Sequence, residues 1–186
     1  MPPSERLGVV VLAAGASRRF GAADKLLAPV GGRPMAAHAF ARAAAVAAAA
    51  RVAVVSAPGV ADLARGAGLV PSPVPPGHPQ SHSLRAGLDA LPQDVEAALI
   101  LLADMPFVTD ADIAAVLARG APACAADGPR RMPPALLPRA WWSDPGLTGD
   151  AGARALLMRI PPASCIALPP AHLRDIDRPA DLAPPA

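Results

Sequence analysis

Leu7-Gly8-Val9-Val10-Val11-Leu12-Ala13-Ala14-Gly15-Ala16-Ser17-Arg18-Arg19-Phe20-Gly21-Ala22-Ala23-Asp24-Lys25 passes from a short apolar run into a loop of small and basic residues. Residues 7–14, rich in β-branched Val, have the pattern of a strand buried on both faces. The loop behind them has a different chemistry. Small residues at 13–16 let backbone N–H groups approach a bound anion, and Ser17 can donate a further hydrogen bond. Arg19 brings a planar fork of donors and Lys25 a point charge. A triphosphate needs this combination, although an ordinary βα turn with solvated charges uses the same residue types. Neither Gly-x-Gly-x-x-Gly nor Gly-x-x-x-x-Gly-Lys-[Ser/Thr] is present, which excludes the dinucleotide fingerprint and the P-loop.

Working outward, the sequence alternates between strand and helix patterns. Pro34 opens a strongly helix-forming stretch at residues 35–50, and 51–56 reads as a second strand. A short helix at 60–66 and a brief strand at 69–70 follow, then a helix at 81–91. Residues 97–103 make the next buried strand. Thr109 caps a helix running to about Arg119, with Asp110 and Asp112 in its first turn, where the helix dipole favours acids. Such alternation implies a parallel α/β sheet. The last third is less regular: 133–138 reads as strand or loop, 149–159 as a helix, and 165–168 and 173–176 as short strands. No repeat or linker divides the chain, so residues 1–186 are read as one domain.

In open α/β sheets, ligands bind beyond the carboxyl ends of the strands. Asp104 stands there, in Leu101-Leu102-Ala103-Asp104-Met105-Pro106. An acid at the end of a buried strand needs compensation. Mg²⁺ supplies it, because that ion takes one or two carboxylates together with phosphate oxygens and water. Ordering the turn before Pro106 is the alternative role. Asp175 and Asp177 are candidates for a second carboxylate, on one side of an extended segment, and Asp181 is read as an acid at a helix start.

Composition narrows the class. Of 186 residues, 53% are hydrophobic and only 3% aromatic, so Ala, Val, Leu and Ile must build the core. A net charge of +2 with interspersed signs gives no basic stripe for nucleic acid, and few aromatics leave little for base stacking. The 25 prolines are scattered as loop punctuation. Cys124 and Cys165 lack the CxxC spacing of zinc or redox motifs and are expected as two buried free thiols. The first apolar run is short and leads into charge, unlike a signal peptide, and 35–50 is too short and too polar to span a bilayer. A cytoplasmic protein without membrane attachment is expected. His38, His78, His82 and His172 are not paired with a Ser or Cys by any motif, so a nucleophilic triad is not expected.

Leu12–Lys25 resembles the Leu-Ala-Ala-Gly-x-Ser-x-Arg-[Met/Phe]-Gly…Lys signature of the MobA-like NTP-transferase superfamily, with greatest similarity to its molybdenum cofactor cytidylyltransferases. Pro29-Val30-Gly31-Gly32-Arg33-Pro34-Met35, Gln80-Ser81-His82-Ser83-Leu84-Arg85-Ala86-Gly87-Leu88, Ala103-Asp104-Met105-Pro106, Thr148-Gly149-Asp150-x-Gly152-Ala153-Arg154 and Asp175-Ile176-Asp177-Arg178-Pro179 resemble its further motifs, in order. The resemblance implies a Rossmann-like three-layer sandwich with a mostly parallel sheet, as in nucleotide-diphospho-sugar transferases. It implies that Gly15, Arg19 and Lys25 hold phosphates, that Leu12, Ala13, Ala14, Ser17 and Ser83 complete the nucleotide site, and that Asp104 and Asp177 hold Mg²⁺. Arg19, Lys25 and Asp104 are the implied catalytic groups. Ala14 stands where guanylyl-transferring relatives tend to carry Gly, which favours CTP. The implied reaction moves CMP from CTP to the phosphate of molybdopterin, with a molybdoenzyme or maturation chaperone as the receiving partner. Arg131-Met132-Pro133 departs from the usual Gly-His-Pro, and Ser72-Pro73 from the usual Asn-Pro. Both departures fall on the acceptor side. Transfer to a sugar phosphate or methylerythritol phosphate, and a non-catalytic cofactor-delivery role, are the alternatives.

Overall fold

Side chains on β1 (Leu7–Ala13) alternate between two separate apolar cores. Val9, Val11 and Ala13 enter one core; Val10 and Leu12 enter the other. That is the period of two expected of a strand covered on both faces. The computed structural model describes residues 3–15, 24–144, 152–178 and 181. After β1 come a small hairpin of β2 (Pro29–Val30) and β3 (Arg33–Pro34), then α1 (Met35–Ala45), β4 (Ala50–Val55), α2 (Pro58–Gly66), β5 (Val70–Pro73) and α3 (Gln80–Asp89). The second half runs β6 (Ala97–Leu102), α4 (Asp110–Arg119), β7 (Ala123–Asp127), β8 (Arg130–Pro138), α5 (Gly152–Arg159) and β9 (Cys165–Ala167).

Seven strands form one sheet in the order β5-β4-β1-β6-β8-β7-β9. β4, β1 and β6 pair in parallel with β5 on the outside of β4, and only β8 runs against the rest. Helices α1, α2 and α4 cover one face, and α3 and α5 the other. The result is the mostly parallel, Rossmann-like three-layer α/β sandwich expected. Among the described residues, no helix is long and apolar enough to cross a membrane.

Several boundaries differ, each for a physical reason. The first helix stops at Ala45, well short of residue 50, because β1 claims the following backbone: Ala49 N–H donates to Leu7 O, and Ala50 pairs with Gly8. Tertiary pairing outweighs the helix preference of the Ala-rich run. β8 is a strand, resolving the choice left open for 133–138, and it begins at Arg130. Residues 173–176 are not a strand. Leu173 and Ile176 are both buried, a spacing of three that an alternating strand cannot give. Ile176 N–H instead donates singly to Asp104 O at 2.9 Å. At Thr109 the expected cap is complete: its hydroxyl accepts from Asp112 N–H while the Asp112 carboxylate accepts from Thr109 N–H. Asp181 accepts from the backbone N–H groups of Asp177 and Arg178; the helix expected to start there lies outside the described residues.

Candidate active site

Because β1 and β6 are parallel neighbours, their carboxyl ends open on the same edge of the sheet. Ala14 and Gly15 leave β1 there, and Ala103 and Asp104 leave β6. Ala103 N–H donates to Leu12 O at 3.0 Å, which binds the two exits together. Asp24 caps the short 3-10 turn Lys25–Leu27 by accepting from Leu26 N–H at 2.9 Å. That turn places Lys25, only 7% exposed, beneath the edge.

The Lys25 ammonium joins three segments distant in sequence. Its Nζ donates to Asp104 Oδ2 at 2.8 Å, to Asp177 Oδ1 at 3.4 Å and to Ile176 O at 3.2 Å. Burial by itself would lower its pKa. The Asp104 carboxylate, by charge and hydrogen bond, and then Asp177 outweigh burial and leave it above the usual lysine value. The lysine is therefore a fixed positive charge at neutral pH.

Above this clasp lies a cavity of about 360 Å³ lined by Leu12, Ala13, Ala14, Gly15, Lys25, Ser83 and Asp104, together with Gly77, His78 and Gln80. The structure thus brings seven of the sequence-derived site residues to one hollow. Asp177 reaches it through Lys25. Ser17 and Arg19 lie outside the described residues, as do residues 148–151 of the 148–154 motif, whose Arg154 lines a different cavity. Gly77 and His78 are additions to the expected site, and Gln80, which opens the Gln80–Leu88 motif, joins them without an expected role. A Pro75-Pro76-Gly77 turn running into a helix start is the signal for Gly77 and His78, and Gly77 has φ +80°, the region that favours glycine. His82, exposed, sets its Nδ1 3.0 Å from that of His78. Ser81 is fully buried and its Oγ has no hydrogen-bond partner among the described residues; Ser83 is the serine that faces the cavity.

Gly87 explains how α3 comes to stand at this edge. A Cβ there would lie 2.4 Å from Val10 Cγ1 and 2.8 Å from Val54 Cγ2. Only glycine lets the helix rest directly on β1 and β4, which delivers Gln80 and Ser83 to the strand ends.

A second, larger cavity of about 630 Å³ adjoins the first and shares Leu12, Gln80 and Leu102 with it. Its floor is apolar: Leu84, Ile100, Met105, Met132, Leu137, Leu157 and Met158. Arg130, Arg131, Arg154 and Asp175 add charge. Arg131 donates to the carbonyls of Leu157 and Met158 and so ties β8 to α5. Asp175 lies 3.7 Å from Arg130. The two tail carboxylates, expected on one side, serve different cavities: Asp177 joins Lys25, and Asp175 the larger hollow.

Residues 9–163 match the profile of the MobA-like NTP transferase domain. The chain belongs to that family. Solved structures agree on the fold. A homologue of Mycobacterium tuberculosis Rv0371c from Mycobacterium sp. strain JC1 is 25% identical, with a TM-score of 0.73 over 96% of this chain and 94% of that one. A nucleotidyl transferase from Methanothermobacter thermautotrophicus is 22% identical, with a TM-score of 0.77 over 95% and 94%. Rv0371c from Mycobacterium tuberculosis in complex with manganese is 22% identical, with a TM-score of 0.68 over 88% of each chain. No curated protein matches the chain by sequence. The chain therefore has a nucleotidyltransferase fold.

The donor set at the clasp suits a hard divalent cation. Asp104 and Asp177 are neighbours across Lys25 Nζ, which both reach, and carboxylate oxygen is what Mg²⁺ prefers. No cluster of three His, Cys, Asp or Glu is present among the described residues. Any ion here would complete its coordination with phosphate and water, as Mg²⁺ does in phosphoryl-transfer sites.

Proposed function

We propose that the chain transfers CMP from CTP to the phosphate of molybdopterin, releasing pyrophosphate, as a Mg²⁺-dependent cytoplasmic enzyme that hands its product to a molybdoenzyme or maturation chaperone. One observation carries the reading: two cavities, the larger with the more apolar floor, meet along Leu12, Gln80 and Leu102, with the Lys25–Asp104 clasp at the edge of the smaller. A transferase needs that layout, with donor and acceptor side by side and a fixed charge at the junction.

In this reading the nucleotide lies along residues 12–15, with Ala14 admitting cytidine and Ser83 facing it from α3. The acceptor phosphate oxygen attacks the α-phosphorus, the bond to the β-phosphate oxygen breaks, and pyrophosphate leaves in line. An acceptor that is already an anion needs no strong base, which accords with a sequence in which no motif pairs a His with a Ser or Cys. Lys25 and Arg19 offset the charge on the departing pyrophosphate. Asp104 and Asp177 would hold Mg²⁺, whose role when bound is to neutralise phosphate oxygens; the manganese complex of Rv0371c supports a divalent cation in this fold. The 630 Å³ apolar hollow takes the acceptor. Its size favours a fused-ring body over a small polyol phosphate.

The test is incubation with CTP, Mg²⁺ and molybdopterin, with pyrophosphate and product both measured. A cytosine dinucleotide form of the cofactor is expected. Turnover only with methylerythritol phosphate or a sugar phosphate would replace the acceptor. Binding of CTP with no pyrophosphate release under any acceptor would reduce the chain to a nucleotide-binding delivery protein.

A further inference from the structure

Cys124 and Cys165 are 41 positions apart, yet they are register partners on the parallel pair β7 and β9. Their Sγ atoms are 3.7 Å apart, in van der Waals contact, and both are free thiols. Both belong to the apolar cluster under α3 and α5, so they share one face of the sheet. Adjacent strands lie about 4.7–4.9 Å apart, inside the Cα separation of about 4.4–6.8 Å that a disulfide requires. We infer that Cys124 and Cys165 are a covalent modification site, an oxidisable pair that closes into a disulfide bond between β7 and the edge strand β9.

The two sulfurs differ in a way that orders the steps. Cys165 is partly exposed, on a three-residue edge strand, and its thiol donates to Pro161 O at 3.5 Å. Cys124 is fully buried. Burial, then the neighbouring Cys165, push the Cys124 thiol up to about 12, so it stays protonated and meets no oxidant directly. With a peroxide as oxidant, the Cys165 sulfur takes one oxygen, becoming a sulfenic acid as one water leaves. The Cys124 sulfur then attacks the Cys165 sulfur. The S–O bond breaks, and the hydroxide leaves as water with the Cys124 proton. Two thiols and one peroxide thus give one disulfide and two waters, and the nearby Cys124 intercepts Cys165 before the irreversible sulfinic acid.

The bond would enclose β8 and α5. Ala135, the β8 partner of Cys124, and Leu157 and Met158 of α5 all line the larger cavity. Closure would fix that wall. None of this depends on the reaction proposed above.

The experiment treats the full chain with graded hydrogen peroxide, blocks residual thiols with iodoacetamide, and maps peptides without reductant. A Cys124–Cys165 linked peptide is expected, with both thiols lost together and restored by dithiothreitol. The unfolding midpoint of the oxidised chain should rise by roughly 5–10 °C. In Cys124→Ala, Cys165 should instead proceed to sulfinic acid. Recovery of Cys165 as sulfinic acid or as an intermolecular dimer in the unaltered chain would overturn the inference. So would two thiols that stay free, or a Cys165 oxidation pattern identical in Cys124→Ala.

Discussion

The two cavities share a wall but are built on different principles. The smaller is centred on one contiguous stretch, residues 12–15, with Lys25 and Asp104 beneath it and Gly77, His78, Gln80 and Ser83 completing the wall. Its chemistry is backbone and fixed charge. The larger draws on β1, β6, β8, α3 and α5, and its floor is Leu, Ile and Met. Contact with phosphate demands small residues at set positions, whereas an apolar wall can be assembled from many elements provided the volumes suit. The phosphate-facing part of the first site can therefore be read from a line of sequence. The second exists only after folding.

The largest effect is expected on the donor side. Replacing Asp104 with Ala removes the closest partner of Lys25 and one of the two carboxylates that reach it. Pyrophosphate release should fall about 10²–10³-fold, by analogy with loss of a single charge-stabilising group. Turnover within a few-fold of the unaltered chain at saturating Mg²⁺ would dissolve the distinction drawn here, because the clasp would then be only structural.

A second variant strikes the shared wall. Gly87→Val forces a side chain into Val10 and Val54, and α3 must lift from β1 and β4. Overpacking of this kind costs about 1–3 kcal/mol. Urea titration should show that loss, and affinities for both substrates should weaken, since Gln80 and Leu84 ride on the same helix. A stable variant with only one substrate affected would mean that α3 belongs to one cavity and not to both.

Met132→Ala probes the larger cavity alone. Met132 is buried on β8, in the middle of the Arg131-Met132-Pro133 departure from the family pattern. Removing its thioether should raise the KM for the acceptor roughly tenfold, the equivalent of ~1.4 kcal/mol of lost apolar contact, judging by ~0.8 kcal/mol per methylene. The KM for CTP should not move. Parallel increases in both constants would show that the two hollows are not separate subsites.

Much of this architecture was legible in advance. The short apolar runs of β1, β4 and β6 declare themselves as buried strands, and Thr109 with Asp112 declares a helix start. β7 was missed because Ala123-Cys124-Ala125-Ala126-Asp127 contains no β-branched or aromatic residue, only small ones that any element accepts. The Lys25 clasp was half seen. Lys25 was assigned to phosphate and Asp104 and Asp177 to metal, but no pattern could show that one ammonium joins partners 79 and 152 positions away. The thiols were judged by sequence spacing, which says nothing of register across β7 and β9.

The smallest expected effect concerns how the tail bearing Asp175 and Asp177 is held on its other side. His172 Nδ1 lies 3.0 Å from Asp112 Oδ2, and that carboxylate also accepts from the Thr109 N–H and hydroxyl. Burial would raise the Asp112 pKa, but the Thr109 bonds and then His172 outweigh it and hold the carboxyl below 3.8. A lowered folded pKa means that the stabilisation is whole above the unfolded value of 3.8 and is lost as pH falls through the folded one. At neutral pH, Asp112→Asn should therefore unfold at lower urea, by about 1 kcal/mol, the usual worth of a helix cap. As pH falls below 3.8 and on through the lower folded value, the gap between the two proteins should narrow and then close, because protonation does to Asp112 what the amide does permanently. A gap that persists into acid would show that the amide disturbs packing instead. In that case the Lys25 clasp alone would position Asp177, and the tail would belong wholly to the donor side.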